Sequence, residues 1–129
     1  MVRTDDLIGK PFADGGRGPE GFDCWGLASE VFRRFGKELP DYKISCEDAS
    51  RIGAEIDTNR PQWLRCDATN PPAPSLVVMY YGSTFCNHVG VYIGNGQFIH
   101  TREKVGVNID RIDGLAWKRK IEGYYVPGW

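Results

Sequence analysis

Between Asp23 and Gly36 the apolar residues fall at Cys24, Leu27, Ala28, Val31, Phe32 and Phe35. Spacing of three and four lays one apolar stripe along a helix. Asp23 supplies a capping oxygen and Gly36 a C-terminal stop, so the spacing predicts a helix that starts at Cys24. From Leu76 onward the period changes. LVVMYY, HVGVYI, QFIHT and VGVNID are short runs rich in β-branched and aromatic residues, separated by glycine and asparagine, and IEGYYVPGW offers one more. They read as strands of an antiparallel sheet, with Gly94-Asn95-Gly96 as a tight hairpin turn. Residues 10–22 are glycine-rich and contain Pro11 and Pro19, which predicts a loop that turns sharply or approaches something closely. Residues 40–75 are less regular. A short helix suits 47–59, and the stretch holding Pro61, Pro71, Pro72 and Pro74 reads as irregular connection. The expected class is α+β, a helical N-terminal half packed on an antiparallel C-terminal sheet.

At 129 residues the chain suits one domain, residues 1–129, with one sizeable core. Its net charge of -1 provides no bulk basic field, so no nucleic-acid partner is expected. No run approaches the ~20 apolar residues of a membrane span. Met1 to Lys10 is polar and lacks the apolar core of a secretory signal, so synthesis without export by its own leader is expected. The cysteines are Cys24, Cys46, Cys66 and Cys86, with no CxxC pair. They are read as thiols, and no metal is expected. No Walker loop is present, and no nucleotide cofactor is expected.

Cys24 carries the strongest chemical signal. It occupies the first turn of the predicted helix, where backbone amides and the helix dipole stabilise a thiolate. Nearby N–H groups suit an oxyanion. The bland alternative is a buried core cysteine. A thiolate nucleophile needs a base, and the base needs an orienting partner. The chain has two histidines, His88 and His100, on adjacent strands of the predicted hairpin. A plain two-residue turn at Asn95-Gly96 pairs His100 with Val91 and sends the two imidazoles to opposite faces. An odd-length or bulged turn pairs His100 with Gly90, and the histidines become diagonal neighbours ~7 Å apart on one face. A working pair requires the second register. Cys86 is a weaker candidate nucleophile, because it has no helix dipole behind it.

GFDCWGL around Cys24 and HVGVYIGNGQFIH from His88 to His100 resemble the NlpC/P60 family of papain-like cell-wall peptidases. The resemblance spans most of the chain. It implies a papain-like α+β fold and hydrolysis of peptide bonds in peptidoglycan stem peptides, commonly between D-glutamate and a diamino acid. It implies Cys24 as nucleophile, His88 as general base and His100 as third member. Asp23, Phe12 and Trp25 are the implied substrate contacts. Phe12 stands where many members carry a tyrosine and lacks that hydroxyl. Pro74-Ser75 stands where a Gly-Asp pair often opens the sheet. The compact form with DCWGL and LIGKPFADGGRGPEGF looks especially like the phage-tail branch, which implies other phage tail proteins as partners and a virion-associated location after synthesis in the bacterial cytoplasm. Two other readings stay open: a tail assembly component of little or no activity, and an amidase or acyltransferase on the same scaffold.

Overall fold

The computed structural model describes residues 2–41, 62–82 and 88–129. The helix expected over 47–59 lies outside these residues, as do Cys46 and Cys86. Among the described residues, a 3-10 turn at Asp5–Leu7 is followed by one α-helix, α1 (Cys24–Arg34). The strands are β1 (Trp63–Arg65), β2 (Ser75–Met79), β3 (His88–Gly94), β4 (Gln97–Arg102), β5 (Gly106–Arg111) and β6 (Ile121–Pro127). They form one antiparallel sheet in the order β1-β6-β2-β3-β4-β5. The α+β class read from the pattern is the observed one. No helix among the described residues is long and apolar enough to cross a membrane.

Alternation along the strands divides the interior in two. Leu76, Val78, Val89, Val91, Ile99 and Val107 face α1 and pack on its Leu27, Ala28, Val31 and Phe32. Their neighbours Val77, Met79 and Phe98 face the other way, where Trp117 and Tyr124 complete a second cluster. Turns at 112–120 carry Trp117 onto that face. Both faces of the central strands are therefore dry, which explains why LVVM reads as an unbroken apolar run rather than an alternating one. β1 departs from the expected irregular connection over 60–75. Its three residues are too short to show a period, and pairing with β6 defines it. Trp63 on β1 closes one end of the main core, edge-on to Trp25, Phe32 and Trp129.

The glycine-rich loop is tied down at both ends. Gly9 N–H donates to Val107 O and Val107 N–H to Lys10 O, both at 2.9 Å. Asp23 N–H donates to Gly16 O at 3.1 Å, which lays the loop across the first turn of α1. A Cβ on Gly26 would meet that Gly16 carbonyl oxygen at 2.0 Å, so this helical glycine exists for the loop's close approach.

Candidate active site

Asp23 caps α1 as expected. Its Oδ1 accepts from Gly26 N–H and from the Arg17 guanidinium, each at 2.7 Å. Arg17 bonds Asp41 as well, so the loop, the cap and the segment after the helix are held by one side chain. The cap fixes Cys24 as the first residue of α1. Cys24 is a buried thiol of the main core, and α1 packs against β3 and β4, the strands that carry the two histidines.

The hairpin between those strands has the register that a histidine pair requires. Gly94 pairs with Gln97 around a two-residue turn, and the register then shifts, so that Tyr92 pairs with Phe98 and Val91 with Ile99. The bulge at Ile93 restores the odd offset that the plain turn would have removed. Gly94, Asn95 and Gly96 all have positive φ, at 97°, 56° and 73°, which is why glycine and asparagine occupy the corner. Continuing the register sets His100 across from Gly90. A Cβ built on Gly90 would lie 3.0 Å from His100 Cβ, so the glycine leaves the space that the imidazole uses.

His88 Nε2 lies 2.8 Å from His100 Nδ1, and both residues are buried. His100 Nε2 lies 2.7 Å from Asp110 Oδ2 on β5. Asn108 Nδ2 donates to the same carboxylate oxygen at 2.9 Å. Burial works against the Asp110 carboxylate, yet hydrogen bonds from His100 and Asn108 hold its pKa below the usual value. Burial pulls His100 down to about 4, with Arg102 acting the same way and Asp110 opposing. Burial holds His88 well below the ordinary imidazole value, helped by His100 and Arg102. Both rings are therefore neutral near pH 7. These states fix the direction of the chain. An ionised Asp110 only accepts, so His100 donates from Nε2 and its Nδ1 carries a lone pair. That lone pair accepts from His88 Nε2–H. The remaining nitrogen, His88 Nδ1, is left as the basic one.

Trp117 encloses the pair. Its indole meets His100 edge-on at 4.6 Å between ring centroids and lies near-parallel to His88 at 6.1 Å. Phe98 contacts His100 from the same strand at 4.5 Å.

Residues 9–126 match the NlpC/P60 family. The protein belongs to that family. It is 34% identical over 124 residues to a probable endopeptidase p60 of Listeria welshimeri, covering 96% of this chain and 21% of that protein. It is 33% identical over 121 residues to the murein DD-endopeptidase MepS/murein LD-carboxypeptidase of Escherichia coli K12, covering 93% of this chain and 57% of that one. The chain thus spans about a fifth of the first relative's length and over half of the second's. A solved NlpC/P60 family protein from Bacillus cereus superposes with a TM-score of 0.65 at 24% identity, over 93% of this chain and 38% of its own, and shares the fold.

In this NlpC/P60 domain the residues expected to touch substrate separate. Trp25 does not stand at a surface. It is 2% exposed, edge-on to Trp63, with its Nε1–H donated to Pro40 O at 2.9 Å, so its spacing within the apolar stripe of α1 places it in the core. Asp23 is fully buried, with Oδ1 spent on the cap and on Arg17 and with Oδ2 lacking a hydrogen bond among the described residues. Phe12 is half-buried and lines an open groove of about 710 Å³ with Pro11, Asp14, Glu103 and Val105. Sequence reasoning misses Asp110 and Trp117. Asp110 does leave a signal: in VGVNID, Asn108 and Asp110 are two apart and share a face, and the β4–β5 register sets Asn108 opposite His100. Trp117 leaves none, because it comes from turns and reaches the histidines only through the fold.

Proposed function

We propose that this domain is a cysteine peptidase that hydrolyses peptide bonds in peptidoglycan stem peptides, of the γ-D-glutamyl–diamino acid type, with Cys24 as nucleophile, His88 as general base and His100 as the orienting group. The observation that carries this reading is the one-way hydrogen-bond chain from His88 through His100 to Asp110. It leaves one basic nitrogen, His88 Nδ1, on the strand against which the helix of Cys24 packs. The names of the curated relatives support the substrate class.

In this reading His88 Nδ1 takes the Cys24 thiol proton, and the thiolate attacks the scissile carbonyl carbon. The Cys24 N–H, in the first turn of α1 where the helix itself supplies no acceptor, donates to the oxyanion. The tetrahedral intermediate collapses to a thioester as His88 gives its proton to the leaving amine. Water, deprotonated by His88, then attacks the thioester. The acid product departs and the thiol regains its proton. His100 and Asp110 keep His88 in the tautomer that can accept at Nδ1, and burial beneath Trp117 keeps water from competing for these bonds.

Release of new amines from purified cell wall tests the reading. Cys24→Ala, with its fold checked by circular dichroism, should abolish release. Unchanged release would reject Cys24 as nucleophile. Mass spectrometry of products from defined muropeptides identifies the bond cut.

A further inference from the structure

Arg3, Arg17, Arg33, Arg34, Arg65 and Arg111 each lie within ion-pair distance of a carboxylate. Arg102 has no such partner among the described residues. Its Nε–H is buried and donates no hydrogen bond to them. Its guanidinium instead lies 5.1 Å from the Trp117 ring centroid and 5.8 Å from that of Tyr81. Lys120, also without a carboxylate partner among the described residues, repeats the arrangement at 5.2 and 5.8 Å from the same two rings. The rings stack on each other with centroids 5.9 Å apart and planes 20° apart. Two cations thus share one aromatic platform, and cation–π attraction holds them without neutralising either.

The platform adjoins the histidines. Tyr81 lies 5.6 Å from the His88 ring, and Trp117 touches both imidazoles. Arg102 lies two residues beyond His100 on β4, so it shares that face, and continuing the hairpin register sets it across from His88. Tyr81 is 41% exposed, so the cations stand where a dry site opens to solvent. Positive charge beside a base that must accept a proton disfavours that proton, and Arg102 acts this way on both histidines. A carboxylate brought in by the substrate removes that penalty while it is bound.

We propose that Arg102 and Lys120, carried on the Tyr81–Trp117 stack, form a carboxylate-binding subsite beside His88 that takes a free carboxylate on the acyl-side residue of the substrate. This rests on the peptidase reading above. A γ-linked glutamyl residue fits the chemistry, because linkage through its side chain leaves its α-carboxylate free a short alkyl chain from the scissile carbonyl. The guanidinium accepts it as a planar fork and the ammonium as a point charge.

Calorimetric titration of the full chain carrying Cys24→Ala tests the subsite without turnover. The probes are two synthetic tripeptides, alanyl-γ-D-glutamyl-lysine and the same peptide with the glutamyl α-carboxylate amidated. The acid peptide should bind about tenfold tighter or more, the scale of one charge-assisted contact. Added salt should shrink that preference. Arg102→Gln should erase most of it while leaving the amide peptide's affinity within about twofold, and Arg102→Lys should retain part of it. Lys120→Gln, a change in a surface turn, should also reduce the preference and carries the test if Arg102→Gln does not fold. Equal affinities for acid and amide, no measurable binding of either, or equal loss of both peptides in Lys120→Gln would overturn the subsite. Failure of the nucleophile reading shows separately, as cell-wall hydrolysis that survives Cys24→Ala.

Discussion

His100 donates its Nε2 proton to Asp110 across the β4–β5 pair at 2.7 Å, and this bond sets the direction of every proton beyond it. A carboxylate can only accept, so it holds both imidazoles in one tautomer. An amide in its place can donate.

Asp110→Asn should therefore act through tautomerism rather than through folding. Asn108 Nδ2 donates to the same oxygen, so the switch requires Asn108 to turn its unbonded Oδ1 to the introduced amide; the amide N–H then points at His100 Nε2 and moves the proton of His100 to Nδ1. That nitrogen then donates to His88 Nε2 and leaves His88 protonated at Nδ1. The kcat on a defined stem peptide should fall on the order of 10²-fold or more, with KM little changed. Asp110→Ala should cost less in kcat than Asp110→Asn, since it removes the acceptor without imposing the wrong tautomer. Equal activity of Asp110→Asn and the unsubstituted protein would contradict the assigned direction.

Gly90→Ala tests whether the hairpin register serves the histidine pair. The added methyl would lie 2.9 Å from Ile99 O and 3.0 Å from His100 Cβ. Stability should fall by about 1–3 kcal/mol, the usual cost of overpacking a filled site. Activity under folding conditions should fall further, because the atom displaced belongs to the orienting residue. Urea melts and steady-state rates on the same preparation separate the two losses. A variant that loses stability but keeps full kcat would show that His100 tolerates displacement.

Gly26→Ala should oppose the helix-propensity expectation. Propensity alone favours alanine in a helix by about 1 kcal/mol. Here the new Cβ would sit 2.0 Å from the Gly16 carbonyl oxygen, which is backbone and cannot swing aside. The loop must lift from α1, weakening the Asp23 N–H to Gly16 O bond. Net destabilisation of about 1–3 kcal/mol is expected from denaturant melts. A stabilised variant would rule out the close approach of loop and helix.

Stability should decline with acid over a window set by the histidines. In the unfolded chain imidazole titrates near 6.5. In the fold, burial keeps His100 neutral down to about 4 and His88 neutral well below 6.5. Between these values the unfolded state binds more protons, so unfolding free energy rises with pH and is lost as pH falls from about 6.5 towards 4. For His100 alone the loss is on the order of 3 kcal/mol across that range. Denaturant melts near neutral pH and near the middle of that window measure it. A flat profile would mean that the pair is not buried neutral.

Much of this protein was legible in one dimension. The three-and-four spacing from Cys24 to Phe35, with Asp23 before it, determined α1 and put Cys24 at its start, because helix periodicity and capping are local. Runs of β-branched residues determined β2 to β6 for the same reason, and the Gly94-Asn95-Gly96 corner confined the hairpin to two registers. Choosing between those registers needed the bulge at Ile93, where the β3–β4 register shifts between Tyr92 and Gly94. The site depended on the tertiary structure in the same way. Trp25, read as a substrate contact, is core because its stripe faces the sheet. Asp110 joins His100 only through strand pairing, and Trp117 covers both histidines only because the turns at 112–120 fold back over the sheet. Local spacing determines which residues share a face. Which faces then meet is decided by long-range packing, which no short window of sequence contains.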